Sequence, residues 1–284
     1  FTPTVVSDSV TLNEFEMHMR PTELYVEVVQ YPLAGAENID DIIDYSFPSA
    51  FNLGRFDKAR RDIERYGQTH YVIGDCELSL FELAWHLTGL EKYMMAFATG
   101  EQWVELLNDR VEAWTLGLAR QRVELGVDAI WFGEDLGTQT SMLISPETWR
   151  ERLKPRYVRL FTILRELNPD LHVIMHSDGA VAPLIEDFIE MGIDIYNPVQ
   201  PGVPGSDPAE LVEKYGGRIH FFGGIDQQQL LPSGEINKLR SEIHRRAELM
   251  GRNGGLLIAP AHIVQADTAP ETIEAMVQIV RDLA

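Results

Sequence analysis

Histidines and carboxylates recur at the ends of short apolar runs in this sequence, and that spacing is what could carry chemistry. The residues are Asp75, the doublet Glu134-Asp135, the tetrapeptide His176-Ser177-Asp178-Gly179, Asn197, Asp226-Gln227 and His262. His176 and Asp178 stand two apart before a glycine that lets the chain turn, so both side chains can face one cavity. An imidazole and a carboxylate so placed form half of a site for zinc, iron or another divalent metal. They equally suit a histidine hydrogen-bonded to a local aspartate at a helix start. His262, in APAHIV, serves either as a metal ligand or as a group that hydrogen-bonds substrate. Glu134 and Asp135 supply further oxygen ligands or a general acid, or cap the following helix. Asp75, Asn197, Gln200 and Asp226 are the expected substrate-orienting residues. His18, His70, His86, His172, His220 and His244 fall at strand starts, within helices or in the first segment, and are expected to be structural.

The apolar runs that would position these residues are Tyr71–Gly74, Val127–Gly133, Leu171–Met175, Ile193–Tyr196, Arg218–Phe222 and Leu256–Ala259. Each precedes a longer amphipathic stretch, near 77–98 with 101–125, then 146–168, 180–191, 207–216, 235–251 and 270–283. Ser145-Pro146-Glu147 reads as a helix start, and Gly126 and Gly192 as helix ends. Strands alternating with helices imply a parallel sheet with right-handed crossovers, either closed as a barrel or open and doubly wound. No G-x-G-x-x-G loop follows any of the runs, which removes the main sign of a dinucleotide fold. In a barrel every strand's C-terminal end lies on one rim, where catalytic groups collect. Residues 1–68 are harder to read: a strand is expected over 23–31 and a short charged helix near 58–66, in an otherwise irregular portion packing on the barrel.

The 284 residues suit one barrel domain, 1–284. Lysine and arginine total 24 against 44 aspartates and glutamates, a formal charge of −20, which argues against a nucleic-acid partner. Cys76 is the single cysteine, so no internal disulfide forms and a cytoplasmic protein is expected. No apolar run is long enough for a membrane span. The chain begins at Phe1 rather than Met, so the N-terminal part of the barrel is expected to be incomplete.

The stretches GEDLGTQTSMLISPETWRERLKPR, HSDGAVAPLIEDFIEMGIDIYNPVQPG, FFGGIDQQQLLPSGE and APAHIVQADTAPETIEAM resemble the uroporphyrinogen decarboxylase superfamily. They are most similar to its branch of corrinoid-linked methyltransferases and demethylases, over roughly residues 70–284. The resemblance implies a (β/α)8 TIM barrel. The zinc methyltransferases of the superfamily carry a histidine–any–cysteine pair and a later cysteine. Here the histidine falls on His176, and Asp178 and His262 occupy the two cysteine positions, each still a competent ligand. The resemblance thus implies a His176/Asp178/His262 metal site completed by Glu134, with His262, Glu134 and Asp135 as the groups acting on substrate. It implies methyl transfer from a small methyl donor, an aryl methyl ether or a methylamine, to a corrinoid on a partner protein, and a homodimer is common in such barrels. With both thiolates replaced, a Lewis acid that polarises an ether or amine leaving group fits better than one that activates a thiol. The decarboxylase branch instead uses no metal and holds porphyrinogen carboxylates with paired arginines. Arg20 and Arg55 are isolated in this chain. A non-catalytic binding barrel is a third alternative.

Overall fold

Short connections decide how the first strands pair. A computed structural model describes residues 3–283 apart from 8, 24 and 53. The chain divides into two compact units, Phe1–Glu134 with Thr162–Leu171, and Asp135–Phe161 with His172–Ala284.

The first unit opens with β1 (Thr4–Ser7), β2 (Val10–Leu12), β3 (His18–Pro21) and β4 (Val26–Gln30), paired antiparallel in chain order. The loops between them are too short for a crossover helix, so successive strands can only run antiparallel. The strand expected over 23–31 is present as Val26–Gln30, within an antiparallel sheet in place of the expected irregular portion. Val5 and Val26 on this sheet are 72% and 61% exposed. Helices α1 (Ile39–Asp44) and α2 (Asp57–Tyr66) follow. Asn38 caps α1 by accepting from the amides of Asp40 and Asp41.

The parallel part begins with β5 (Ile73–Cys76), then α3 (Leu80–Thr88), α4 (Leu90–Thr99) and α5 (Gln102–Glu124), and β6 (Ala129–Gly133) pairs parallel with β5. Phe81, Tyr93 and Phe97 pack together, with Tyr93 and Phe97 stacked at 5.4 Å between ring centres. Met95, between them in the sequence, is 65% exposed. It falls on the solvent face of α4, two residues from each of the two buried aromatics.

The second unit holds α6 (Pro146–Arg152), the first part of α7 (Lys154–Leu167), β7 (His172–His176), α8 (Ile185–Glu190), β8 (Ile195–Val199), α9 (Pro208–Tyr215), β9 (His220–Ile225), α10 (Leu230–Ser233), α11 (Ile236–Met250), β10 (Leu256–Pro260) and α12 (Pro270–Arg281). Strands β7 to β10 pair parallel in chain order. Ser145 caps α6 with Pro146 in its first turn, as its sequence predicts. Every strand of the β7 to β9 ladder is nearly sealed, as parallel strands covered on both faces must be. Against β9 and β10 pack Leu230, Leu231, Leu239, Ile243 and Ile279, all buried.

All six strand–helix repeats read from the sequence are thus present. The described residues supply six parallel strands, not eight, and the segment ahead of them is the antiparallel sheet.

Candidate metal centre

Two loops leaving neighbouring strands in the sequence, 135–145 and 177–183, meet without side chains between them. Gly179 has φ +85, and a Cβ there would lie 2.5 Å from the Thr138 carbonyl oxygen. A Cβ on Gly137 would lie 2.7 Å from the carbonyl oxygen of Asp178. Glycine at both places lets the backbones touch, and the Ala180 amide donates to the Thr138 carbonyl at 2.8 Å. The fully buried Ser177 hydroxyl accepts from the Leu136 amide at 3.0 Å. The Asp178 amide donates to Asp135 Oδ1 at 3.1 Å, and the Gly179 amide to Gln200 Oε1 at 2.7 Å. Every backbone amide from 177 to 180 therefore has an acceptor, and the turn is fixed.

That turn carries Asp178 toward two histidines. His176 ends β7, and His262 follows β10 by two residues. One ligating atom from each of His176, Asp178 and His262 lies within 4.8 Å of the others. Asp178 Oδ2 is 3.5 Å from His262 Nε2, and Asp135 Oδ1 is 3.7 Å from His176 Nε2. Asp178 Oδ1 is buried with no hydrogen-bond partner among the described residues. Burial pushes the Asp178 carboxyl above its ordinary range, aided by the Asp135 charge and opposed by the two histidines. A buried, unpaired carboxylate oxygen beside two imidazoles is what a divalent cation would satisfy. The residues present fit a metal, with two nitrogens and an oxygen as the donor set.

Glu134 answers to different partners. Its side chain is fully buried, and its oxygens accept from the Ser79 hydroxyl (2.6 Å) and the amides of Phe81 (3.0 Å) and Glu82 (3.0 Å). It thereby caps the N-terminus of α3, where a negative charge also meets the helix dipole. The group of potential ligands comprises His176, Asp178 and His262, without this expected fourth member. Asp135, its neighbour, has a side chain 40% exposed and stands beside His176.

The remaining expected site residues divide by what they hold. Asn197 is 4% exposed and hydrogen-bonds His176 Nδ1 at 2.6 Å. Gln200 spans the Gly179 amide and the Gln139 side chain. Asp226 accepts from the amides of Gln228 and Gln229, turning the chain after β9. Asp75, in the first unit, is exposed and accepts from the Glu77 amide. Sequence assigns no role of their own to Ser177, in HSDG, or to Gly137, in EDLGT. A cavity of about 510 Å³ in the second unit is lined by Thr140, Met142, Ala180, Ala182, Lys214 and Tyr215, and by none of the three grouped ligands.

The uroporphyrinogen decarboxylase (URO-D) family model matches residues 17–283. The chain belongs to this family. A uroporphyrinogen decarboxylase from Thermus thermophilus is 26% identical over 197 residues, covering 66% of this chain. The chain spans about half the length of that curated relative, 52%. Among solved structures, a methyltransferase from Methanosarcina mazei is similar with a TM-score of 0.72 and 18% identity, covering 95% of this chain and 76% of the other. At that identity the likeness speaks to fold, and the fold is the α/β barrel type of the family. Among the described residues no helix is long and apolar enough to cross a membrane.

Proposed function

We propose that this URO-D family protein is a metal-dependent methyltransferase that moves a methyl group from a small methylated substrate, an aryl methyl ether or a methylamine, to a corrinoid on a partner protein. The observation that carries the reading is the His176/Asp178/His262 group with its buried, unpartnered Asp178 oxygen. These three residues would hold zinc or another divalent cation, with Glu134 left to its helix. When bound, such a cation supplies Lewis acidity toward a leaving oxygen or nitrogen.

The chain's own residues supply the rest. The Gly137–Gly179 approach and the Gln200 contact hold Asp178 in place, so little reorganisation accompanies binding. Asp135 is exposed enough to reach substrate while it fixes the Asp178 amide, and it acts as the acid beside the leaving group. The chain's arginines and lysines are far outnumbered by acids, which favours a neutral or cationic donor over a polycarboxylate. The curated relative's name favours a second reading, decarboxylation of a porphyrinogen without metal.

Elemental analysis separates the two. Wild-type protein purified without chelators is expected to carry about one zinc or iron per chain, lost in His176→Ala. A wild-type chain that holds no metal and takes up no added zinc refutes the methyltransferase reading and leaves the decarboxylase one.

A further inference from the structure

Asn197 belongs to the strand beside His176, and its side chain has two neighbours of fixed polarity. In the parallel ladder of β7 and β8 the two residues are directly paired, and the Ser177 amide donates to the Asn197 carbonyl at 2.8 Å. The side-chain oxygen of Asn197 lies 2.6 Å from His176 Nδ1, and its amide nitrogen lies 3.5 Å from the Phe222 carbonyl oxygen. A carbonyl only accepts, so the Asn197 nitrogen belongs on the Phe222 side and the oxygen on the imidazole side. An oxygen that close to Nδ1 demands a hydrogen on that nitrogen. The opposite tautomer would set two lone pairs against each other at 2.6 Å in a site where Asn197 is 4% exposed.

We infer that Asn197 is a positioning residue for the metal centre: it holds His176 as the Nδ1–H tautomer and so reserves Nε2, the atom facing Asp135, for the cation. The inference rests on the proposed metal site. It assigns Asn197 to the imidazole, away from the substrate-orienting role expected from sequence. Neutral imidazole presents only one lone pair, so whatever occupies Nδ1 decides which nitrogen can bind. Asn197 also ties β7 to β8 and β8 to β9 at the level of the ligand, so ring rotation about the Cβ–Cγ bond is checked from one side.

Three measurements test it. In metal-free wild type, nitrogen chemical shifts of the His176 ring are expected to report the Nδ1–H tautomer. Asn197→Leu, which keeps the volume and removes the acceptor, is expected to weaken zinc binding about 10–100-fold in a chelator competition. Asn197→Asp restores an acceptor and is expected to bind zinc within about threefold of wild type, or more tightly. A structural role alone would not separate Leu from Asp once thermal melts show both variants folded. An Nε2–H tautomer in wild type overturns the inference, and so do equal zinc affinities for wild type and Asn197→Leu. Should Asn197→Leu fail to fold, the wild-type tautomer and the Asn197→Asp affinity still decide. A wild type that binds no zinc refutes the ligation reading, while the ring shifts alone then decide what Asn197 does to His176.

Discussion

Replacing Gly179 with alanine tests whether the contact between the two loops positions the site. The perturbation has two parts. A residue with a side chain at φ +85 costs about 1–2 kcal/mol in backbone conformation. The new Cβ would also meet the Thr138 oxygen at 2.5 Å and the Gly137 carbonyl carbon at 2.6 Å. Both are backbone atoms, so the loops must part, and the hydrogen bond from the Ala180 amide to Thr138 lengthens or breaks. Losing one buried backbone hydrogen bond adds about 1–3 kcal/mol. The total is about 2–5 kcal/mol. Gly126→Ala supplies the reference, because Gly126 has φ +90 with nothing within 4 Å of its added Cβ. It is expected to cost only the conformational part, about 1–2 kcal/mol. The assay is thermal melting of metal-free protein, where each kcal/mol moves the midpoint by about 2 °C for a chain of this size. Gly179→Ala is expected to melt several degrees below Gly126→Ala and to bind zinc more weakly. Equal melting points, with zinc affinity unchanged, would refute the argument that close backbone approach fixes Asp178.

Two further outcomes follow from buried charge. Asp187 accepts from Arg150 Nε at 3.0 Å and Lys154 Nζ at 2.8 Å, and although burial pushes its carboxyl upward, these two cations hold it below its ordinary range. Asp187→Ala is expected to destabilise the protein by about 1–3 kcal/mol, less than for a sealed pair because Arg150 is 43% exposed. Because the folded carboxyl titrates lower than the unfolded one, that contribution is present above the unfolded value of about 4. It disappears as pH falls through the depressed one, so urea melts of wild type and variant should converge in strong acid and differ at pH 7. Burial raises the Cys76 thiol to about 12, against the pull of Arg122, so the native protein should resist thiol reagents at neutral pH and react once unfolded. Rapid labelling of native protein would contradict the burial of Cys76 at the end of β5.

Period and punctuation carried the parallel half of the fold. Six apolar runs became six strands, and Ser145-Pro146 began a helix, because a covered parallel strand needs continuous apolar residues and a helix start needs a cap. Boundaries were less legible. Asn197 lies inside β8 rather than at its exit, since Pro198 and Val199 continue the buried strand. Strands β1, β2 and β3 of the antiparallel sheet escaped because they are three or four residues long with no fully buried position, so little hydrophobic alternation marks them.

The acidic doublet shows where sequence runs out at the site itself. Glu134 and Asp135 are equivalent as letters, since each offers a carboxylate at a strand exit. Their surroundings differ, Glu134 being fully buried and the Asp135 side chain 40% exposed. The buried one meets two bare amides of a helix start, which need an acceptor wherever they are buried. The longer glutamate reaches them and the Ser79 hydroxyl, and no other acceptor for these donors is supplied by the Ser79 side chain, which makes no cap of its own. The half-buried Asp135 accepts from the Asp178 amide and stands beside His176. His176, Asp178 and His262 converge for the converse reason: nothing in the backbone claims Asp178 Oδ1, and its partners must come from elsewhere. That Glu134 is the structural acid thus depends on donors contributed at the start of α3, more than fifty residues earlier in the chain, and no spacing around the doublet encodes them.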